Sequence, residues 1–383
     1  MRLWYTKIHA HSLFLPSVYH NSPHFSRISF FLPLDCIVAI HFTIENSHTE
    51  TKETFTYMKR MIWLIVLLIS VLIVGGCGGE RTAQEGAYQI TDVRGTVVTI
   101  PKKPERIMTM SFDTDGIVLG LAGPDKMVAS SAILDDPDSS NVSHLTKRIK
   151  TKITTPTVEQ ILAMNPDLII VPDWGSIEQV ENLRDLGLTV VVVKGAKNIA
   201  DAKDNVKMIA QAIGESEKGT RLVAKMDAKL AEIKAKVDKI PLSERKKVVL
   251  LSLMPMYGGI GCAFDDACKY AGVTNGMAEA GIHMGQTLTK EMLLSIDPDI
   301  LFLPSYTNHG QIDVKAHRQK YLDDPALAPM KAIKNQAFAF PREGYLYNCS
   351  QDIVFAVQEI AYAVYGDDFR LEKDEHLSVV GDN

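Results

Sequence analysis
Cysteine is scarce in this chain, with five in 383 residues, and two of them, Cys36 and Cys77, fall near its start. The other three, Cys262, Cys268 and Cys349, cannot all pair with one another, which excludes a small disulfide-built scaffold. Cys262 and Cys268 are close enough in sequence to bridge, but reading them as inert thiols is favoured. Catalytic signatures are missing too. There is no G-x-S-x-G, no H-E-x-x-H and no G-x-x-x-x-G-K-[ST], so the matching hydrolase, metalloprotease and nucleotide-binding classes lose their usual support. Gly258-Gly259-Ile260-Gly261 lacks the spacing of a dinucleotide-binding loop. The 41 Lys and Arg stand against 46 Asp and Glu with no basic patch, which argues against nucleic acid as a partner. No three or four His, Cys, Asp or Glu have ligand spacing, so no metal site is expected. The chain is read as a binding protein and not an enzyme.

What is present is a segment that occurs twice. Thr155–Pro172 reads TPTVEQILAMNPDLIIVP, and 132 residues later Thr287–Pro304 reads TLTKEMLLSIDPDILFLP. Seven of the 18 positions are identical and no gap is needed. Each copy predicts a Thr-capped helix with Glu in its first turn, then Pro-Asp, then a strand of four apolar residues closed by Pro. An apolar run of that length predicts a strand buried on both faces. Two helix-to-strand units at so large an offset predict two similar lobes and not a solenoid, whose period would be about 20–50 residues. Function is then expected in the cleft between lobes.

The start of the chain carries a targeting pattern. Met58-Lys59-Arg60 supplies positive charge, Ile62–Val74 is apolar, and Gly75-Gly76-Cys77 follows. A hydrophobic stretch of 13 residues is short for a membrane span, which takes roughly 17–25, and suits a signal peptide. The small residues before Cys77 resemble a bacterial lipobox, which implies cleavage there and diacylation of the Cys77 thiol. Residues 1–57 hold six of the eleven His and lack helix or strand periodicity, so they read as a misassigned start. The expected organisation is a signal peptide over 58–76, a lipid anchor and tether over 77–87, and an N-terminal lobe over 88–214. An interlobe helix over 215–240 and a C-terminal lobe over 241–383, ending in a helix and a polar tail, complete it. The mature length suits two domains.

Within these bounds, Tyr88–Ile100 predicts a hairpin turning at Arg94-Gly95, and strands and helices then alternate, which predicts a mostly parallel α/β sheet. Leu222, Met226, Leu230, Ile233, Val237 and Ile240 form one apolar stripe, predicting a single helix over Glu215–Ile240. The ordered set of ITDVRGTVVTIPKKPERIMTM, VEQILAMNPDLIIVP, the long helix and KEMLLSIDPDILFLP resembles the substrate-binding lipoproteins of ABC importers that handle iron–siderophores, cobalamin and haem. The resemblance covers nearly all of Tyr88–Tyr365. It implies two Rossmann-like lobes joined by one long helix, limited closure, and a monomer held at the extracytoplasmic face of the cell membrane. It also implies a small-molecule metal chelate as cargo, with no covalently bound cofactor. A ferric siderophore is favoured, with a cobalamin or haem receptor, or a sensing lipoprotein without transport, as alternatives. The partner implied is an ABC permease dimer with its cytoplasmic ATPase, docked by Glu159 and Glu291.

Open α/β sheets bind ligands beyond the carboxyl ends of their strands. The loops expected there offer Asp113, Trp174, Tyr257, His283, Tyr306, Arg342 and Tyr345 as ligand-binding residues, with Met256, His309 and Tyr347 beside them. Aromatic faces with a few polar groups suit a chelate or macrocycle, and Arg342 would suit an anionic one.

Overall fold
Asp167 shows why the repeat keeps its Pro-Asp. In the computed structural model, which describes residues 86–382 apart from 255 and 307–311, the Asp167 carboxylate accepts the backbone N–H groups of Glu105 and Arg106, each at 2.9 Å. Its counterpart Asp299 accepts the N–H of Lys247 at 2.9 Å. In both copies the Asp therefore pins the neighbouring strand at its start. The helices before them match as well. α3 (Val158–Met164) is capped by Thr157 and α9 (Lys290–Ile296) by Thr289. Each ends on a left-handed residue, Asn165 at φ 46° and Asp297 at φ 45°. Asn and Asp tolerate that conformation better than other side chains, so the helices stop one residue before the Pro.

Two parallel sheets result. In the first lobe β3 (Ile107–Thr109), β6 (Leu168–Pro172) and β7 (Val190–Val193) pair in the order β3-β6-β7. Met127 bridges Ile107 at the outer side, and β4 (Ser130–Ser131) pairs with β5 (Lys152–Ile153). In the second lobe β8 (Lys247–Leu250), β9 (Thr274–Asn275), β10 (Ile300–Phe302) and β11 (Phe338–Ala339) pair in the order β11-β10-β8-β9, all parallel. β6 is buried at every position, as a strand covered on both faces must be. The hairpin β1 (Tyr88–Thr91) to β2 (Val97–Ile100) is antiparallel. Its turn is held by the buried Asp92, which accepts from Arg94 N and Thr96 N and pairs with Arg184 at 2.7 Å.

Between the sheets in sequence runs α6 (Ser216–Val237), 22 residues long. Leu222, Met226, Leu230, Ile233 and Val237 are buried along it. The expected stripe continued to Ile240, but the helix ends earlier and Ile240 packs only partly buried against the core. Gly219 lets α6 approach α5 (Ile199–Ala212), since a Cβ there would stand 2.5 Å from the Cβ of Ala210. No helix among the described residues is long and apolar enough to cross a membrane. Residues 1–57, the signal-peptide stretch and Cys77 lie outside the described residues.

The end of the chain differs from the expected polar tail. After α13 (Ile353–Tyr365) it runs back across the molecule to α1 (Phe112–Ala122). Val379 is fully buried and donates its N–H to Gly120 O. Asp352, also fully buried, accepts from Leu377 N, His376 Nδ1 and Asn141 Nδ2 at 2.6–2.8 Å. Polarity in this segment is spent on buried partners, which the composition alone does not reveal. Removing residues 373–383 leaves Asp352 without two of those donors and opens the Val379 site. Breaking a buried charge network typically costs about 3–5 kcal/mol. The truncated chain should therefore show a lower urea midpoint, corresponding to a loss of unfolding free energy in that range, and an unchanged midpoint would mean that the strap is only laid on the surface.

Candidate functional site
Strands of both sheets, together with β4 of the separate β4–β5 pair, end facing a common pocket of about 340 Å³. Phe112 follows β3, Ile133 and Leu134 follow β4, and Ser139 lies just beyond them. From the other lobe come Leu253 and Met254 after β8, Tyr306 after β10, and Glu343, Gly344, Tyr347 and Asn348 after β11. The lining is largely apolar, with polar atoms at a few points, which is the usual composition of a small-molecule site. Five parallel strands thus deliver their carboxyl ends to one place, as sheets of this kind require.

Polar groups at the pocket are positioned by the backbone. Glu343 is buried, and its carboxylate accepts from Ser305 N at 2.6 Å and Tyr306 N at 3.3 Å. Burial pushes its pKa up against those two N–H groups. Tyr347 shares a 2.8 Å hydrogen bond with Ser252 and packs on Tyr257 with ring centres 5.0 Å apart. The lobes meet closely beside the pocket. A Cβ on Gly344 would lie 3.0 Å from Ser140 N and 3.1 Å from the Ser139 carbonyl, so only glycine fits that approach without displacement. Among the described residues no group of three or more His, Cys, Asp or Glu could hold a metal ion.

A mostly parallel, two-sheet architecture with a pocket at the strand ends is the geometry of a ligand receptor, and the sequence carries the corresponding family pattern. The family described as periplasmic binding protein matches residues 107–341, well over half of the chain. The chain belongs to the periplasmic binding protein family. It is 26% identical over 201 residues to an uncharacterized ABC transporter substrate-binding lipoprotein, YvrC, of Bacillus subtilis, covering 49% of this chain and 62% of that one. It is 26% identical over 188 residues to a probable siderophore-binding lipoprotein, YfiY, of the same organism, covering 47% and 56%. These matches span less than two thirds of either relative. The fold is similar to that of the periplasmic heme-binding protein RhuT from Roseiflexus sp. RS-1, at a TM-score of 0.59 and 22% identity, covering 68% of this chain and 98% of that structure.

The residues expected to touch ligand in this periplasmic binding protein fall into distinct places. Tyr306 lines the pocket. Arg342 and Tyr345 line an adjoining one, which shares Gly344 with it. Arg342 is not a free cation: it pairs with Glu359 at 3.0 Å and Asp374 at 2.9 Å and donates to Leu371 O. Tyr345 is fully buried, and its hydroxyl bonds the backbone of Glu375. Tyr257 stands behind the lining, donating to Leu346 O and accepting from Phe264 N. Trp174 is absent from the lining. It is 68% exposed and leans on Gly195 after β7, because Asp173 ties its loop to Gly195 N. His283 sits on an exposed loop whose N–H is accepted by Gln286, also away from the lining. His309 lies outside the described residues. Cys262, Cys268 and Cys349 are free and buried, and burial raises all three thiol pKa values. Sequence reasoning passed over Phe112, Leu253 and Met254. Their signal was present, since each follows closely after a buried strand, but apolar residues there look like more core.

Asp113 joins the lobes instead of facing the pocket. Its carboxylate, at the start of α1, accepts the N–H of Cys349 at 2.7 Å. Burial pushes its pKa from 3.8 to about 7, against that hydrogen bond and with a smaller push from the Asp115 charge. Asp115 is likewise pushed up to about 6 by burial, although Ser131 N and the Thr109 hydroxyl bond it. The folded state therefore holds protons that the unfolded chain has released above its usual carboxylate pKa. The contribution of these two carboxyl groups to stability should therefore fall as pH rises from about 4 to about 7. Asp113→Asn keeps the acceptor and cannot ionise, so its urea midpoint should decline less over that interval, most visibly near neutrality. Parallel curves for the two proteins would remove Asp113 as the source. Gly344→Ala should destabilise by about 1–3 kcal/mol in the same assay, because a methyl group must displace backbone.

Proposed function
We propose that this chain is the extracytoplasmic substrate-binding component of an ABC importer, one that captures a ferric siderophore in the interlobe pocket and delivers it to the permease. The observation that carries the proposal is the pocket itself, built from both lobes of a periplasmic binding protein at the ends of five parallel strands. Support for the siderophore comes from the likeness to the siderophore-binding lipoprotein. The mechanism needs no chemistry on the ligand. Apolar surface from Phe112, Leu253 and Met254 takes up the ligand's face, and Ser139, Tyr306, Tyr347 and Asn348 offer polar atoms to orient it. Membrane anchoring through Cys77 belongs to the same reading.

Glu159 and Glu291 are assigned to permease docking. Each is exposed in the first turn of its copy of the repeat, four residues after the first repeat Thr. Hydrogen bonding from the Thr157 side chain holds Glu159 below the usual carboxylate range, and the Glu291 backbone followed by Thr289 does the same for its counterpart. Both therefore stay charged, and paired Arg–carboxylate contacts are geometrically specific. Replacing both with Ala should leave the urea midpoint and ligand titration nearly unchanged while transport reconstituted with the cognate permease is lost. Transport that survives the double replacement would sink the assignment.

A further inference from the structure
One aromatic at a strand end is turned outward. Trp174 follows the carboxyl end of β6, and Tyr306, 132 residues later, follows β10 at the matched position of the second copy. Tyr306 lines the pocket, whereas Trp174 is 68% exposed. Its loop is nonetheless tightly held. Asp173 donates its N–H to Val193 O at 2.8 Å, its carboxylate accepts Gly195 N at 2.9 Å, and its carbonyl accepts from the Arg94 guanidinium at 3.1 Å. The indole rests on Gly195, where a Cβ would stand 2.5 Å from the Trp174 ring. One side of the ring is packed and the rest faces solvent. Three residues on, Ile177 opens α4 (Ile177–Asp185) and is 63% exposed. The Arg94 bond lays the β1–β2 turn alongside, and with it the exposed Val93. A single exposed apolar residue needs no explanation, but three held on one rim mark an interaction surface.

We infer that Val93, Trp174 and Ile177 form an apolar anchor by which this face docks on the extracytoplasmic side of the permease. The inference rests on the docking reading above and adds to it residues other than the two glutamates. Two features of the fold choose this partner. A ligand leaves the pocket at the strand ends, so the protein that receives it must cover that face, and Trp174 stands on the same face at the carboxyl end of β6. The patch also adjoins Glu159. Gln179, in the first turn of α4, donates to Pro156 O at 3.4 Å, one residue before the Thr157 cap of the helix that carries Glu159. An apolar anchor beside an exposed carboxylate is the usual anatomy of a protein interface, and Trp is among the residues that carry most binding energy there. The complementary surface is an apolar socket bordered by cationic groups. An indole already held by its loop loses little rotamer freedom on docking.

The test measures the affinity of the ligand-free mature protein for the cognate permease, with its ATPase, in lipid nanodiscs. Trp174→Ala should weaken that complex at least about tenfold, Trp174→Phe should weaken it less, and Ile177→Ser should act in the same direction. Urea midpoints should stay unchanged, because both side chains are mostly exposed. Ligand is absent, so a Trp174 that served only the ligand would leave the affinity intact and overturn the inference. A wild-type dimer that Trp174→Ala converts to a monomer would assign the patch to a second copy of this chain and overturn it too. The Glu159→Ala, Glu291→Ala double variant is measured alongside. If it weakens the complex while Trp174→Ala and Ile177→Ser do not, the anchor falls and the docking reading stands. If none of the variants weakens it, or the wild-type protein does not bind the permease, both fall.

Discussion

One apolar cluster runs without a break from the first sheet to the second. It includes Ile107 and Val191 of one lobe, Leu222, Met226 and Ile233 of α6, and Val248 and Phe302 of the other lobe. The returning C-terminal strap adds Val379. Burying a large aliphatic side chain contributes roughly 1.5–3 kcal/mol, so separating the lobes would expose a cost no ligand of ordinary affinity could offset. The relative position of the two sheets is therefore fixed by the core that also folds them. Everything at the pocket follows from that constraint. Strand ends that meet at a set distance give a preformed lining, and a preformed lining loses little entropy when it is filled.

The strap reinforces the same geometry with polar contacts. Asp352 gathers Asn141 from the first lobe and His376 and Leu377 from the tail. Asp113 reaches from α1 to Cys349 N. Both interlobe links use a carboxylate that accepts N–H donors, fully buried at Asp352 and half-buried at Asp113, an arrangement that is directional because an unmet carboxylate there is unfavourable. Hinge motion would break several such bonds at once.

The sequence was most legible where its physics is local. A Thr cap, a left-handed Asn165 or Asp297 and a strand-pinning Asp167 or Asp299 each act within a few residues or on the neighbouring strand, so the repeat carries them visibly. The stripe on α6 was legible for the same reason, as one face of one helix. The site was less legible because it is assembled by contacts that cross the chain. Arg342 looks available until Glu359 and Asp374, 17 and 32 residues away, are seen to take it. Trp174 looks like a cleft aromatic until Asp173 is seen to hold its loop toward Gly195. Conversely Phe112 and Met254 look like core until the opposing lobe leaves them facing a cavity.

Several side chains that the sequence offers as ligand contacts also hold the frame together. Large or charged side chains in loops attract attention as ligand contacts, yet a rigid receptor spends many of them on holding its own frame. Arg342 and Tyr345 anchor the strap, Tyr257 supports Tyr347, and Asp113 joins the lobes. The pocket wall itself is mainly apolar surface with a few oriented polar atoms. The core that sets the lobes and the loops that line the pocket draw on largely different side chains, so either can change without the other.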